Sequence, residues 1–219
     1  MKLICEVNEE LKVITEANER GGKSYFIEGV FMQAEQKNRN NRSYPKHIME
    51  REVNRYVDEH IKQNRAYGEL GHPSGPTINL ERVSHMIKEL REDGNNYIGR
   101  AKIMTETPMG RIVKNLIDEG VQLGVSSRGM GSLKLNKDGI NEVQDDFYLA
   151  TAGDIVSDPS APDAFVRGIM EGKEWMMVEG RFVERHHDEV RYAISNAKSK
   201  DLEAVKLHVF ESFINQISK

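Results

Sequence analysis

The chain has a single cysteine, Cys5, so an internal disulfide is excluded, and no neighbouring Cys or His completes a metal-ligand pattern around it. Cys5 therefore reads as a small core hydrophobe, and a reducing, cytoplasmic setting is expected. No apolar run approaches the roughly 20 residues needed to cross a bilayer, so no membrane span is expected. The first ten residues also lack the apolar stretch of a signal peptide. Neither sign of charge dominates: 31 Lys and Arg stand against 35 Asp and Glu, a net charge of -4. That balance excludes a protein built mainly to neutralise a phosphate backbone, and no nucleic-acid partner is expected. Aromatics are few at 7%, but 38% hydrophobic residues are enough for a core, and 219 residues suit one main domain with a small appendage. Repeats and low-complexity tracts are absent.

The apolar pattern predicts a mixed chain. Leu3, Cys5, Val7, Leu11 and Val13 alternate, as strands do, around a polar turn at residues 8–10. Residues 25–31 read as a buried strand and 36–42 as a loop. Pro45 suits a first helical turn, and Ile48, Met49, Val53, Tyr56, Val57 and Ile61 follow at helical spacing, predicting a helix over 45–63. Glycine and proline crowd residues 68–76, which read as a shaped loop rather than a regular element. Leu80, Val83, Ile87 and Leu90 match a helix as well as a strand, but the Asp93-Gly94-Asn95-Asn96 turn and the returning strand at 97–103 favour a hairpin, and a helix is expected from Thr107-Pro108 to Gly120. Strand character resumes from 121 to 156. Beyond Pro159-Ser160-Ala161-Pro162 short helices are expected, and from Arg185 onward Val190, Ile194, Leu202, Val205, Val209, Phe213 and Ile217 trace amphipathic helices.

Two stretches hold the parts of a serine hydrolase. Such chemistry needs a hydroxyl within reach of an imidazole and fixed donors where negative charge develops on a carbonyl oxygen. Gly124-Val125-Ser126-Ser127-Arg128-Gly129 places two serines between glycines, and Gly71-His72-Pro73 places a histidine in an open loop. By residue type alone a packing or turn role competes in both places. The serine motif also departs from the G-x-S-x-G elbow, because Arg128 stands where that pattern has glycine.

Six ordered blocks narrow the choice. These are Ile-Glu-Gly-Val-Phe-Met-Gln-Ala-Glu at 27–35, Asn-Arg-Asn at 38–40 with Tyr44-Pro45, Gly-Glu-Leu-Gly-His-Pro at 68–73, Gly-Arg-Ala at 99–101, Gly-Val-Ser-Ser-Arg-Gly-Met-Gly-Ser-Leu at 124–133, and Pro-Ser-Ala-Pro-Asp-Ala at 159–164. Together, over roughly residues 25–166, they resemble the prohead core protein proteases of T-even-type tailed phages, a family related in fold to the herpesvirus assemblins.

The resemblance implies an α+β domain with a largely antiparallel, barrel-like sheet and peripheral helices over residues 1–171, followed by a C-terminal helical extension over 172–219. It also implies a serine endopeptidase with Ser126 as nucleophile and His72 as base. Ser127 is the neighbour that a one-residue slip would place on the opposite face of a strand. Asp154 is the expected orienting acid, with Glu69, Asp158 and Asp163 as rivals. Arg128 and a main-chain N–H at Gly129 are the expected stabilisers of the oxyanion. His47 and His85 compete for the base on residue type but lie outside the matching blocks. The His186-His187-Asp188 run reads as a solvated helix start rather than a metal site, since adjacent helical residues do not face one another. No cofactor or metal is implied.

Family members favour cleavage after a glutamate preceded two residues earlier by Ile or Leu. This chain carries such sites at Glu16-Ala17 and Glu171-Gly172, the second where the protease-like region meets the tail. The expected substrates are capsid and scaffold proteins of the prohead core, acted on inside the assembling particle in the host cytoplasm by a homo-oligomer. A noncatalytic capsid-assembly or scaffold protein of the same fold is the alternative.

Overall fold

The computed structural model describes residues 2–8, 11–17, 23–72, 75–156, 174–178 and 181–185. In chain order they form β1 (Lys2–Asn8), β2 (Leu11–Ala17), β3 (Lys23–Gln33), β4 (Arg42–Ser43), α1 (Lys46–Tyr56), β5 (Tyr67–Glu69), β6 (Val83–Asp93), β7 (Asn96–Ile103), α2 (Pro108–Asp118), β8 (Gly124–Gly131), β9 (Leu133–Leu135), β10 (Asn141–Val143), β11 (Tyr148–Val156), β12 (Glu174–Val178) and β13 (Arg181–Arg185). One five-stranded sheet runs β11-β8-β1-β12-β13, a second runs β2-β3-β7-β6-β5, and a small third sheet runs β4-β10-β9. Pairing is antiparallel except between β4 and β10.

Local chemistry explains most of these elements. Strand β7 alternates strictly, burying Tyr97, Gly99, Ala101 and Ile103 and turning the residues between them outward, as a half-buried strand must. In β3 the same period changes phase at a bulge between Val30 and Met32, so that Phe31 and Met32 are both buried. Gly94 closes the β6–β7 hairpin at φ +64, a conformation that costs a side-chain-bearing residue strain. Helix α1 buries Ile48, Met49, Glu52, Val53 and Tyr56, three and four residues apart, and continues into a π-helical turn at Val57–Ile61. Thr107 caps α2 by accepting the Gly110 N–H at 3.1 Å, and Pro108 occupies the first turn.

Two expectations are corrected. The glycine-rich run is not wholly irregular, because Tyr67–Glu69 forms β5, with Tyr67 opposite Met86 and Gly68 opposite His85. Partner geometry on β6 overrides the local glycine signal. The tail expected to be helical from residue 172 begins instead as the β12–β13 hairpin, which extends the first sheet beside β1 with Lys2 opposite Glu174. An unpaired edge on β1 offers these residues ladder hydrogen bonds that their own sequence does not announce. Residues 186–219, with the expected amphipathic helices, lie outside the described residues. Among the described residues none of the three sheets closes on itself.

The first two sheets meet at the site. Leu70, just past β5, bridges to Ile155 of β11, and the Gly71 N–H donates to the Ile155 carbonyl at 2.7 Å. Between the sheets lies one apolar core, which includes Ile4, Ile27, Phe31, Ile87, Ile103, Val125, Leu149 and Ile155. Helix α1 is fastened to β11 by Glu52, which accepts the Leu149 N–H at 3.0 Å.

Candidate active site

Strand β8 lies between β1 and β11 and is buried along its whole length. In the β8–β11 ladder Ser126 stands directly opposite Asp154, so their side chains share one face of the sheet. Arg128, two residues on, shares that face. It pairs with Thr151, and the register shift between Thr151 and Asp154 sets three residues of β11 against two of β8. Ser127 points the other way, opposite Glu6 of β1, and lines a small cavity with Phe31, Met32, Tyr44 and Met49.

His72 reaches the same place from the other sheet. Strand β5 holds Gly68 and Glu69 against β6, Leu70 bridges to Ile155, and Gly71 turns the chain at φ +75. The next residue therefore lands beside Asp154, with Nδ1 of His72 3.6 Å from Oδ2 of Asp154. At that separation the contact is electrostatic rather than a formed hydrogen bond. Both ring nitrogens of His72 and the Ser126 hydroxyl are buried, and none has a hydrogen-bond partner among the described residues. Unpartnered buried polar atoms are uncommon in folded proteins; these three belong to the two groups expected to exchange a proton, and Glu69, Arg82, Tyr97 and Arg100 carry the others among the described residues.

The acid is held from several sides. Oδ2 of Asp154 accepts Nε–H of Arg128 at 2.5 Å, and Oδ1 accepts Nη2–H at 3.3 Å and the Glu69 main-chain N–H at 2.9 Å. Burial pushes the Asp154 carboxyl up, but His72, Arg128 and the Glu69 N–H more than offset this and hold it below its ordinary value. It is an ionised carboxylate at neutral pH, as an orienting acid must be.

Arg128 has no exposed surface, and its donors are directed inward. Besides Asp154 they reach Oε1 of Glu69 at 3.2 Å, the Thr151 hydroxyl at 3.3 Å and the Gly75 carbonyl, in the loop that carries His72, at 2.6 Å. The guanidinium thus ties β8, β5, β11 and the His72 loop together. These contacts, to two carboxylates, a hydroxyl and a loop carbonyl, do not test the oxyanion role expected of Arg128. Gly129 lies one residue further along β8. It stands between Ile4 and Leu149 in two ladders, and a Cβ there would fall 2.3 Å from the Phe147 ring, so its lack of a side chain serves packing.

The rival residues separate clearly. His47 is exposed on α1, 3.4 Å from Asp145 Oδ1. His85 is fully buried on β6, where Nε2–H donates to the Gly153 carbonyl at 3.0 Å and Nδ1 accepts from the Ser84 hydroxyl at 2.9 Å. Burial lowers its pKa to about 4, against the weaker opposing pull of Asp154, so it stays neutral and braces the residue preceding Asp154. A Cβ on Gly68 would meet the His85 ring at 2.1 Å, which explains the glycine before Glu69. Glu69, a rival for the acid, instead neutralises Arg128 and accepts the Asn79 N–H at 2.8 Å. Asp158, Asp163, His186, His187, Asp188, Glu171 and Gly172 lie outside the described residues. Glu16 and Ala17 are paired with Ser24 and Lys23 at the end of β2. Among the described residues no group of three or more His, Cys, Asp or Glu is arranged to hold a metal.

The supporting roles of Glu69, Thr151 and His85 are the part that residue patterns did not reveal. Glu69 carried a signal, a carboxylate three positions before the histidine. Thr151 and His85 carried none, since their roles exist only across sheets.

An antiparallel framework thus brings a serine opposite a buried carboxylate, with an imidazole against that carboxylate. The chain belongs to the prohead core protein serine protease family, which matches it over residues 6–174 and so spans Ser126, His72 and Asp154. It is similar to the prohead core protein protease of Enterobacteria phage T4, with 41% identity over 143 residues, 64% of this chain and 67% of that protein. Among solved structures it is similar to the bacteriophage T4 capsid assembly protease, with a TM-score of 0.69 and 32% identity, covering 72% of this chain and 98% of that one.

Proposed function

We propose that this chain is a serine endopeptidase that processes capsid and scaffold proteins inside the phage prohead during maturation. Ser126 attacks the scissile carbonyl, His72 takes its proton and returns it to the leaving amine, and Asp154 orients the imidazole and stabilises its charged form. The observation that carries this reading is the ladder pairing of Ser126 with Asp154, with His72 packed 3.6 Å from the same carboxylate. Closing that gap to hydrogen-bond distance requires the His72 ring to move by about 1 Å, a scale on which catalytic hydrogen bonds commonly tighten when substrate binds.

Cleavage after glutamate in Ile/Leu-x-Glu sites belongs to the same proposal, as does self-cleavage at Glu171-Gly172, which would separate a 1–171 protease domain from its tail. Glu16-Ala17 is the poorer site, because its backbone is paired in a ladder and a protease needs an extended, unpaired segment. We read the two large sheets, joined at Leu70–Ile155 and through the β1–β2 connection, as an incomplete barrel around the core. Assembly into a homo-oligomer within the particle in the host cytoplasm follows the family.

A peptide containing Ile-Thr-Glu-Ala tests the reading directly. Turnover by the full chain that disappears in Ser126→Ala supports it, whereas no turnover in any assembly state supports a noncatalytic scaffold.

A further inference from the structure

Buried beneath the proposed catalytic groups is a charge cluster that the hydrolytic mechanism does not itself require. Two carboxylates, Asp154 and Glu69, share one guanidinium, Arg128, and none of the three side chains has exposed surface. With His72 neutral, this trio carries one net negative charge. When His72 accepts a proton the sum becomes zero.

The other groups facing the cluster add little at neutral pH. Cys5 on β1 is held as a thiol by burial, which pushes it up to about 12, and Tyr56 on α1 is likewise pushed up and stays neutral. His85 on β6 is neutral, as described above. Arg82 adds a positive charge from the rim, its Nε 3.5 Å from Oε2 of Glu69, and because its side chain is 39% exposed solvent weakens that charge without abolishing it.

From this arrangement we propose that Glu69 is a positioning residue for the reaction, acting through Arg128: it leaves the buried cluster one negative charge in excess, and that charge favours the His72 imidazolium that forms when Ser126 attacks. Without Glu69, Arg128 would fully neutralise Asp154 and leave the acid little attraction for an imidazolium. With it, the guanidinium is shared between two carboxylates, and Asp154 keeps negative charge to offer the ring. Arg128 meanwhile holds Asp154 through two nitrogens and the His72 loop through the Gly75 carbonyl, so charge and geometry are set by one side chain. The inference rests on the proposed roles of Ser126 and His72.

Two substitutions of opposite sign test it in the full-length chain. Glu69→Gln removes the excess negative charge, so the acid limb of the kcat/KM profile on the Ile-Thr-Glu-Ala peptide should move down by about 0.5 to 1 pH unit. Plateau turnover should fall roughly three- to tenfold, because the imidazolium is then less stabilised in the transition state. Glu69→Asp, which keeps the charge, should hold the limb near its original position. Arg82→Gln removes a positive charge from a part-exposed side chain beside Glu69, keeps an amide that can donate toward the Leu70 carbonyl, and should move the limb up by a few tenths of a unit.

The same shifts should appear in an NMR titration of the His72 ring in the Ser126→Ala background, a readout independent of turnover. If Ser126→Ala keeps full turnover, the proposed function fails, while the titration still reports on the cluster. If Ser126→Ala is inactive but Glu69→Gln leaves both limb and titration within about 0.2 unit of the parent, or moves them upward, the role assigned to Glu69 is wrong. Should Glu69→Gln not fold, a downward or absent shift in Arg82→Gln overturns the inference by itself.

Discussion

At Ser126 chemistry and stability can be separated. Its hydroxyl is buried and unpartnered among the described residues, so Ser126→Ala removes no hydrogen bond and should change unfolding free energy by less than about 1 kcal/mol in urea titrations. Turnover in the same variant should fall by roughly 10³-fold or more. A large loss of stability would instead give Ser126 a structural role. His85 makes the complementary case. Its folded pKa, about 4, lies below the ordinary 6.5, so the unfolded chain binds more protons between those values. The stability this neutral ring supports is complete above about pH 6.5 and is lost as pH falls toward 4, a change on the order of 3 kcal/mol. Denaturant titrations from pH 7 to 4.5 should show that slope, and His85→Gln should flatten it. Asp154 acts in a lower window, since its carboxyl is held below the ordinary carboxylate range and the stability it lends is lost only as pH falls through that range and beyond.

Among the elements, α2 shows how far local chemistry reaches. Thr107 caps it, Pro108 starts it and Gly120, at φ +79, ends it, each as the residue order predicts. Thr107→Ala should cost about 1 to 2 kcal/mol, measured by thermal or urea unfolding, because the Gly110 N–H loses its acceptor. Strand β6 was less legible, since Leu80, Val83, Ile87 and Leu90 also match a helix, and only the turn at 93–96 and the returning strand β7 identified it. Strands β5, β12 and β13 were not legible. Three residues rich in glycine become a strand only because β6 supplies partners, and the β12–β13 hairpin depends on the free edge of β1.

For the whole molecule, the junction of the two sheets is what brings His72 to Asp154, and processing is proposed at Glu171-Gly172, just inside the end of the family match at residue 174. Active full-length protein should yield a product ending at Glu171, visible by intact mass, while the Glu16-Ala17 bond, paired in β2, stays whole. A mass that never falls in a catalytically active preparation would remove self-cleavage from the proposal. A product beginning at Ala17 would show that the β2 ladder opens readily, contrary to its pairing with β3.

The amino-acid order by itself determined the strand-rich α+β character, both helices, and the glycine-flanked blocks that hold Ser126 and His72, because alternation, capping and turn chemistry are local properties. It also placed Ser126 and Ser127 on opposite faces, since a strand's period is two. Only the tertiary structure decided that Asp154 lies opposite Ser126, that Arg128 is buried against Asp154 and Glu69, and that His85 is bound to the Gly153 carbonyl next to Asp154. Those roles arise from pairings between residues tens of positions apart, where burial strips water from charges and makes each one's partner the dominant influence on it.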